Sequence, residues 1–459
     1  MQTAGAESAT APVPGAPAMA LARAEQLLRR GEAAQAAQIL LRIEPGAIRR
    51  AEVALRAGRV CLRLHRLPLA AAFLQRAAVL SPDAAAVRAA RAECLALRAR
   101  PAVLNAAHGA LRAQLERMTQ RAQPEGVSPP EHIHIVCKLD TLGGTERRAL
   151  NLYRVLSAHV PTTLWSTVPA GAGALAEAPI RWIEATSAPR GGTLVMSGSY
   201  YRCGDWLDTS PFERVVICHN LAEQYADLAQ RLSRLEANPS HPRVALTFPS
   251  RMFQNFTGLP GTVEYSPVDT DVFRPRTSPS AERKPLRIGR HGRAWALKFH
   301  PNDPALLRAL LARGHSVRIL GGSVIAPSFN EDQDPSPELL DAGALPAPEF
   351  LAGLDVFLYR KHPQWMETGG TVIMEAMAMA LPVVVFGEDC GYAELVEDGC
   401  NGFLVASEAE ACARIDALHA DPALRIRLGE AARATMLDLM QRQQRALLDF
   451  YLAGNAARV

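Results

Sequence analysis

Lysine is scarce in this chain of 459 residues, although the chain has 50 basic residues. Its four lysines are Lys138, Lys284, Lys298 and Lys361. Long apolar runs are missing too, since no segment contains 18 consecutive apolar residues without a charge, and this argues against a membrane-spanning helix. Pro12, Pro14 and Pro17 stand where a secretory signal would need a basic start and an apolar run. We therefore expect a cytoplasmic protein.

The eight cysteines form no Cys-x-x-Cys pair and no grouping with histidine that would suit a metal ion. Isolated cysteines of this kind in a cytoplasmic protein are typically buried, reduced thiols. We therefore expect no structural metal.

Composition and charge indicate a multidomain globular protein. Hydrophobic residues make up 48% of the chain and charged residues 21%, as in soluble globular proteins. At roughly 100–200 residues per domain, the length predicts two to four units, and we expect three. Residues 1–130 carry 18 Arg and 9 acidic residues, so the net charge of +4 leaves about −5 for the remainder. The basic end would suit an acidic surface, and solvated helix faces explain it equally well.

The front of the chain predicts helices. Residues 1–17 are rich in Ala and Pro and predict a disordered leader, and residues 18–120 show apolar residues at three and four spacing. Two related helix ends, at Pro45 and Pro82, lie 37 residues apart and resemble tetratricopeptide repeats; an ordinary helical bundle is the alternative. A Pro- and Gly-rich linker follows at 121–131.

The remainder alternates between short apolar strands and helices, in two α/β domains at 132–275 and 284–459. This pattern predicts an α/β fold with two facing Rossmann-like domains, the second carrying the terminal helices. Ligands in such sheets bind at the carboxyl ends of the strands. We therefore expect chemistry in the cleft between the two domains.

Two carboxylates flank a glycine-opened helix in the second domain. Gly369, Gly370 and Thr371 open the helix, so its backbone N–H groups and positive dipole end face the cleft and suit a diphosphate. Glu367 lies just before the helix and Glu375 lies inside it, among apolar residues where a carboxylate needs a partner. Sugar or ribose hydroxyls would supply donors; a capping glutamate and a salt-bridged one are the alternative.

These residues resemble the donor motif of the retaining family 4 glycosyltransferases of the GT-B fold, and the resemblance extends over about 131–455. It implies that Glu367 contacts the donor sugar and that Glu375 holds the nucleotide ribose. Arg293 and Lys298 match the family's Gly-Arg-x4-Lys pattern, whose two cations neutralise the diphosphate. Arg290 competes with Arg293 for the arginine of this pattern.

The resemblance also covers the first α/β domain and the end of the second. Gly143 and Gly144 match a glycine loop that lets the backbone approach phosphates at a helix start. His219 matches a histidine beside the donor sugar, although a lone histidine is more often structural. Glu394, in a segment that resembles the loop after the nucleotide site, is expected to make another donor contact.

The resemblance implies transfer of a sugar from a UDP- or GDP-sugar with retention, without a bound metal or a permanent cofactor. It implies a glycan or lipid-linked acceptor and no nucleic-acid partner. The front helices would recruit a protein partner, and a peripheral contact with the inner face of the membrane is a further expectation. A nucleotide-sugar epimerase and a helical-repeat scaffold with a degenerate transferase domain are the competing interpretations.

Three departures from the family pattern bear on the shape of the sugar pocket. Gly369 replaces a phenylalanine, Ser266-Pro267 replaces Asn-Gly, and Ala380 replaces a glycine before the strand at 382–386. Each leaves the charged residues of the motif in place.

Overall fold

The computed structural model describes residues 16–29, 33–64, 66–81, 84–99, 106–121, 130–221, 225–275, 285–329, 335–387 and 390–452. These residues form two compact units, one comprising Met1–Arg100 with Pro363–Trp365, the other Pro101–His362 with Met366–Val459. The predicted leader up to residue 15, the linker at 122–129 and the joint at 276–284 lie outside the described residues.

The first unit is helical, as its sequence periodicity predicts. Its helices are α1 (Ala16–Arg29), α2 (Ala33–Leu41), α3 (Ala51–Arg63), α4 (Leu67–Leu80) and α5 (Ala85–Ala99). Consecutive helices pack in pairs, most extensively α3 on α4. Small residues allow this close approach, because a Cβ on Gly58 would lie 2.6 Å from Leu74 Cδ2. The relation to tetratricopeptide repeats stays a prediction.

The second unit contains two parallel sheets. The strands of the first sheet are β1 (Ile133–Cys137), β2 (Thr162–Ser166), β3 (Ile180–Trp182), β4 (Thr193–Ser197), β5 (Arg214–Cys218), β6 (Arg243–Phe248) and β7 (Thr262–Val263). Those of the second sheet are β8 (Arg287–His291), β9 (Ser316–Leu320), β10 (Glu338–Leu340), β11 (Val356–Tyr359), β12 (Val383–Phe386) and β13 (Gly402–Val405). Buried apolar side chains cover both faces of each sheet, which explains the near-continuous apolar runs in the strands.

The strand order of each sheet reverses at its first strand. The first sheet has the order β3-β2-β1-β4-β5-β6-β7 and the second has the order β10-β9-β8-β11-β12-β13. Ligands of open α/β sheets bind beside the carboxyl ends of the strands at such a reversal. The loops after β1, β8 and β11 therefore form the expected binding edge.

The connecting helices of this unit are α6 (Ala106–Thr119), α7 (Gly144–Ser157), α8 (Ala172–Leu175), α9 (Trp206–Thr209), α10 (Tyr225–Ala237), α11 (Arg251–Thr257), α12 (Asp303–Leu311), α13 (Ala347–Ala352), α14 (Thr371–Ala378), α15 (Glu408–Ala420) and α16 (Pro422–Leu452). Among the described residues, none of the helices has the length and apolar character needed to cross a membrane.

Helix α6 differs from its predicted assignment. The sequence places it in the helical region at 18–120, but Leu115 and Met118 are fully buried in the core of the first sheet. Thr119 Oγ1 also donates to Val244 O at 2.9 Å. The boundary of the helical region therefore lies near residue 100, because the apolar face of α6 is covered by the sheet.

The end of α16 also departs from the prediction that residues 284–459 belong to the second domain alone. Leu447, Phe450 and Tyr451 lie in the core of the first sheet. Arg214 Nη1 donates to Phe450 O at 2.6 Å, and Tyr451 Oη donates to Glu264 Oε2 at 2.9 Å. Helix α16 thus begins in the second domain and ends against the first, which ties the two domains together.

Candidate functional site

Two glycine-opened helices face each other across the domain boundary. Gly143 precedes α7 and Gly370 precedes α14, and neither N-cap residue has a side chain that accepts a hydrogen bond from the helix. A Cβ on Gly144 would lie 3.8 Å from Thr371 Oγ1, so the two helix starts are close neighbours. Their N–H groups and dipoles place two partial positive charges at one point, which favours an anion.

Gly370 also meets a steric demand. Its φ of 89° lies in the left-handed region, and a Cβ there would lie 2.6 Å from Tyr392 Cβ. A larger residue at this position would displace the tyrosine or the start of α14.

Arg293 extends from the loop after β8 onto the glycine loop of the first domain. Its guanidinium forms an ion pair with Glu146 in the first turn of α7, and a Cβ on Gly143 would clash with it. The Arg293 side chain is 45% exposed, whereas that of Glu146 is 4% exposed and accepts from Tyr200 Oη at 2.5 Å. Arg293 is therefore a cation that is accessible in the cleft and held there by a buried carboxylate.

Lys298 and Glu367 meet at the carboxyl ends of neighbouring strands. Lys298 Nζ donates to Glu367 Oε2 at 2.6 Å, and Tyr359 Oη donates to the same oxygen at 2.8 Å. The side chains of the pair are 18% and 13% exposed, so the carboxylate is largely withdrawn from water. The structure thus brings together two of the predicted site residues, and it adds Tyr359, which the sequence analysis does not identify.

The two candidate arginines occupy different environments. Arg290 is 6% exposed and donates to backbone oxygens of Arg360 and Lys298, at 2.9 Å and 3.0 Å. Arg293 faces the cleft. The geometry therefore favours Arg293 over Arg290 as the cation that contacts an anionic ligand.

Glu375 lies on the buried side of α14 beside a histidine that the sequence analysis overlooks. His291 Nε2 is 3.1 Å from Glu375 Oε2, and both side chains are 8% exposed. Since His291 ends β8 and Glu375 follows β11, the two residues lie at the same edge of the sheet as Lys298 and Glu367. His291 is thus the neighbour to which the salt-bridge alternative for Glu375 would apply, although its Nε2 makes no hydrogen bond among the described residues, and the ribose role stays a prediction.

The segment between Glu367 and α14 is fixed to the first domain. Thr368 Oγ1 donates to Asn220 O at 2.7 Å, and Ser250 Oγ donates to Thr368 O at 2.5 Å. Asn220 Nδ2 in turn donates to Thr145 Oγ1 at 2.7 Å, while a Cβ on Gly369 would lie 3.2 Å from Pro249 Cβ. The two domains are therefore in direct contact at the site.

Glu394 contacts the first domain in this structure. Its two carboxylate oxygens accept from the backbone N–H groups of Arg251 and Met252, at 2.9 Å and 3.0 Å, and Tyr265 Oη donates to it at 2.7 Å. A residue of the second domain thus caps helix α11 of the first. The predicted donor contact of Glu394 would require this cap to open.

Replacing Glu394 by alanine is expected to loosen the start of α11. Loss of a helix cap costs about 0.5–2 kcal/mol, so amide hydrogens at 251–257 should exchange faster by roughly 2- to 30-fold. The matched control is Glu410→Ala, which removes a carboxylate that accepts from Ala406 N at 2.9 Å within the second domain. Unchanged exchange at 251–257 together with weaker donor binding would instead favour a donor contact.

His219 lies at the end of β5, as predicted, but its ring is fully enclosed. The ring has 0% exposure and packs against Tyr225, Phe248 and Phe253, and neither ring nitrogen has a hydrogen-bond partner among the described residues. Burial lowers the pKa of His219 to about 4. A contact with a donor sugar would need this ring to become accessible, and that role stays a prediction.

The protein is expected to lose stability in mild acid. Burial lowers the pKa of His134, His219 and His362 to about 4, below the ordinary value of 6.5. Between these pH values the unfolded chain binds protons that the folded chain does not, so unfolding becomes easier as pH falls. Calorimetry should show a lower Tm at pH 5 than at pH 7.

The substitution His219→Phe should reduce the slope of the unfolding free energy against pH by the contribution of about one bound proton. Phenylalanine suits the aromatic surroundings and does not titrate. The exposed His159 is the control, and His159→Gln should leave the decline unchanged. An equally steep decline in both variants would contradict the assignment to His219.

The comparisons with known proteins agree with this geometry. Residues 343–435 match the family model of the glycosyl transferases group 1. No curated protein matches the chain in sequence.

Within the described residues, no group of three or more His, Cys, Asp or Glu side chains is arranged to hold a metal ion.

Three solved structures resemble the chain over about two thirds of its length. A glycosyltransferase from Rickettsia africae ESF-5 is 14% identical with a TM-score of 0.51, and the match covers 70% of this chain and 97% of that one. TarM, a protein of S. aureus, is 9% identical with a TM-score of 0.50, covering 70% and 99%. An alpha-glucosyltransferase in complex with UDP and a 13-mer DNA containing a HMU base is 13% identical with a TM-score of 0.50, covering 70% and 100%. The second unit therefore has the GT-B fold, and its part at 343–435 is similar to the glycosyl transferases group 1 family.

Proposed function

We propose that the chain is a metal-independent, retaining glycosyltransferase of the family 4 type, which moves a sugar from a nucleoside-diphosphate sugar to a glycan or lipid-linked acceptor. One observation carries the proposal: the Lys298–Glu367 pair and Arg293 converge beside two uncapped helix starts. Cations and N–H groups suit a diphosphate, and the adjacent carboxylate suits sugar hydroxyls.

The positive groups of the site suit the charge that develops during transfer. When the bond between sugar and diphosphate breaks, negative charge accumulates on the leaving phosphate. Arg293, Lys298 and the N–H groups at the start of α14 would stabilise this charge without rearranging, because they are already held by Glu146, Glu367 and the fold.

The carboxylates would orient the rest of the donor. Tyr359 and Lys298 fix Glu367, so that its carboxylate can accept from the sugar hydroxyls, as the family resemblance implies. Glu375, whose Oε2 lies 3.1 Å from His291 Nε2, would hold the ribose. The catalytic part of the work is then largely positioning.

The contact between the domains would protect the reaction from water. The hydrogen bonds that join Thr368, Asn220 and Ser250 close the site on the side of the first domain. This arrangement would place an acceptor held by the first domain against the donor and exclude hydrolysis.

A thermal-shift panel of UDP-, GDP- and ADP-sugars tests donor binding. A ligand that binds only the folded chain raises its Tm, by an amount that grows with concentration over Kd. UDP-sugars come first in the panel, because UDP is bound in one of the similar structures. No Tm change with any nucleotide sugar at millimolar concentration would contradict the proposal.

Product analysis separates transfer from the competing functions. A stable glycoside with the anomeric configuration of the donor supports the proposal. An epimerised donor would identify an epimerase, and donor binding without turnover would favour a scaffold with a degenerate transferase domain.

Transfer is expected to persist in EDTA. The positive charges that would hold the diphosphate come from Arg293, Lys298 and two helix starts. Other transferases use an Asp-x-Asp metal site, and the sequence Asp269-Thr270-Asp271 has this form. Here one oxygen of Asp269 accepts from Asp271 N and Val272 N at 3.1 Å each and so caps a turn. Inhibition by EDTA that Mn²⁺ or Mg²⁺ reverses would overturn metal independence.

We also propose that the helical unit recruits the acceptor or a partner protein, in the cytoplasm or on the inner face of the membrane. Its excess of arginine supports contact with an acidic surface. Sedimentation with vesicles of anionic or neutral lipid tests the membrane contact. If the chain sediments with neither kind of vesicle, the membrane contact is wrong.

A further inference from the structure

We infer that Arg290 is a positioning residue of the transfer site, which fixes Lys298 and Glu367 without touching the substrate itself. The inference rests on the proposed function, since it assigns a role within the same site. It also explains why two arginines precede Lys298, Arg290 within β8 and Arg293 in the loop after it.

Arg290 is connected to both members of the Lys298–Glu367 pair, to Lys298 through its backbone and to Glu367 through Tyr359. Its Nη2 donates to Lys298 O at 3.0 Å, so it holds the backbone from which the lysine side chain extends. Its guanidinium lies 4.1 Å from the centre of the Tyr359 ring, and Tyr359 Oη donates to Glu367 Oε2 at 2.8 Å. One side chain thus determines where the cation and the carboxylate meet.

The environment of Arg290 argues against direct contact with a phosphate. The residue is 6% exposed, and its guanidinium lies 4.8 Å from the centre of the Phe299 ring as well as on Tyr359. Its Nη1 donates to Arg360 O at 2.9 Å. Both terminal nitrogens of the guanidinium are therefore directed at backbone oxygens.

The surroundings of Arg290 also contain carboxylates. Arg360 Nε is 3.2 Å from Asp303 Oδ1, and Arg360 Nη1 donates to Glu408 Oε1 at 2.9 Å. The buried Asp303 has its pKa raised by burial, while Arg290 and Arg360 act in the opposite direction. Arg290 thus lies in a buried cluster that also contains Arg360 and Asp303, where charges of both signs occur.

This role needs the shape of arginine as well as its charge. The flat guanidinium packs against aromatic rings and donates in its plane to two separate carbonyl groups. Lysine keeps the charge but lacks the flat face and the fork of donors. Arg290→Lys should therefore lower kcat nearly as much as Arg290→Gln, by about 10- to 100-fold for a misplaced charged group. A cation that contacts phosphate directly would keep most of its effect as lysine.

A double substitution tests whether Arg290 acts through the pair. Lys298→Ala removes one of the two groups that Arg290 positions, so adding Arg290→Gln should lower kcat by a smaller factor than Arg290→Gln does in the unsubstituted chain. Losses that multiply would show that Arg290 acts on the substrate independently and would overturn the inference. Near-normal kcat in Arg290→Gln or Arg290→Lys would also overturn it.

Arg425→Gln is the matched control for the loss of a buried arginine. Arg425 is 4% exposed and donates to Leu418 O at 3.2 Å, in helix α16. The substitution Arg425→Gln should lower Tm and leave kcat within about 2-fold. Arg425 lies outside the donor motif, so its loss should affect stability and not the transfer step. If both Arg290 variants fail to fold while Arg425→Gln folds, Arg290 is a stability residue and the inference is wrong. If the unsubstituted chain and Arg425→Gln transfer no sugar, the proposed function itself fails, and this inference with it.

Discussion

Replacement of Lys298 by alanine is expected to lower the rate of sugar transfer about 10²- to 10³-fold while the chain stays folded. That loss is typical for one preorganised charged group that stabilises a developing negative charge. Lys298 lies in the cleft at 18% exposure, and its Nζ donates to Glu367 Oε2 at 2.6 Å. The substitution thus removes a cation from the site and also a donor that orients the carboxylate.

The measurement is kcat with the donor found in the thermal-shift panel, together with Tm. Arg313→Ala is the control, since Arg313 Nε pairs with Asp416 Oδ2 at 3.3 Å on the surface, where an ion pair contributes little. Turnover by Lys298→Ala within about 3-fold of the unsubstituted chain would remove Lys298 from the proposed machinery. A collapse of Tm in that variant would instead show that the pair stabilises the fold.

Two of the strands that frame the site follow from sequence as largely apolar runs: β1 and β11 are buried and precede the loops that carry Gly143 and Glu367. Strand β8, with the sequence Arg-Ile-Gly-Arg-His, follows from the alternation of strands and helices and precedes Arg293. Shorter strands leave no such signal. Strands β3, β7 and β10 have two or three residues each, too few to show a period, and their pairing with neighbours defines them.

Contacts between distant residues could not be predicted. His291 and Glu375 lie 84 positions apart, and only the parallel pairing of β8 with β11 brings their elements to one edge. The same holds for Glu394, whose donor role was argued from a local resemblance, whereas its partners Arg251 and Met252 belong to the other domain.

Ala380 shows how a departure from a family pattern acquires a physical meaning. The resemblance expects glycine here, and the structure gives Ala380 a φ of 58°, in the left-handed region that glycine favours. An alanine with this backbone is strained by about 1–2 kcal/mol. The position thus lies in a turn between α14 and β12 whose backbone conformation favours glycine.

The position of the boundary of the helical region predicts a large effect of chain shortening on stability. The sequence alone favours a cut near Pro129, after the Pro- and Gly-rich linker, because few buried contacts should cross it. The structure shows that such a cut removes α6 from the core of the first sheet. Leu111, Leu115 and Met118 are at most 5% exposed there, and burying each such side chain contributes about 1.5–3 kcal/mol.

A chain that begins at Pro129 is therefore expected to unfold or aggregate, since its loss approaches the 5–15 kcal/mol that stabilises a typical domain. It also loses the contact of His108 Nε2 with Thr257 O, at 2.6 Å. Soluble yield and the calorimetric transition test this directly. A stable, donor-binding chain from Pro129 would show that α6 is dispensable and that the sequence-based boundary was adequate.

A chain that begins at Pro101 keeps α6 and every donor residue proposed above, all of which lie at 143 or later. We expect it to fold and to bind the donor with unchanged affinity by calorimetry. It should nevertheless lose activity on the natural acceptor, because the proposed recruiting surface, with most of the 18 arginines of residues 1–130, is gone. Transfer to a short acceptor analogue at millimolar concentration should survive, since mass action then replaces recruitment. Equal activity of the full and shortened chains on the natural acceptor would dismiss recruitment, and weaker donor binding would show that the helical unit supports the transfer site itself.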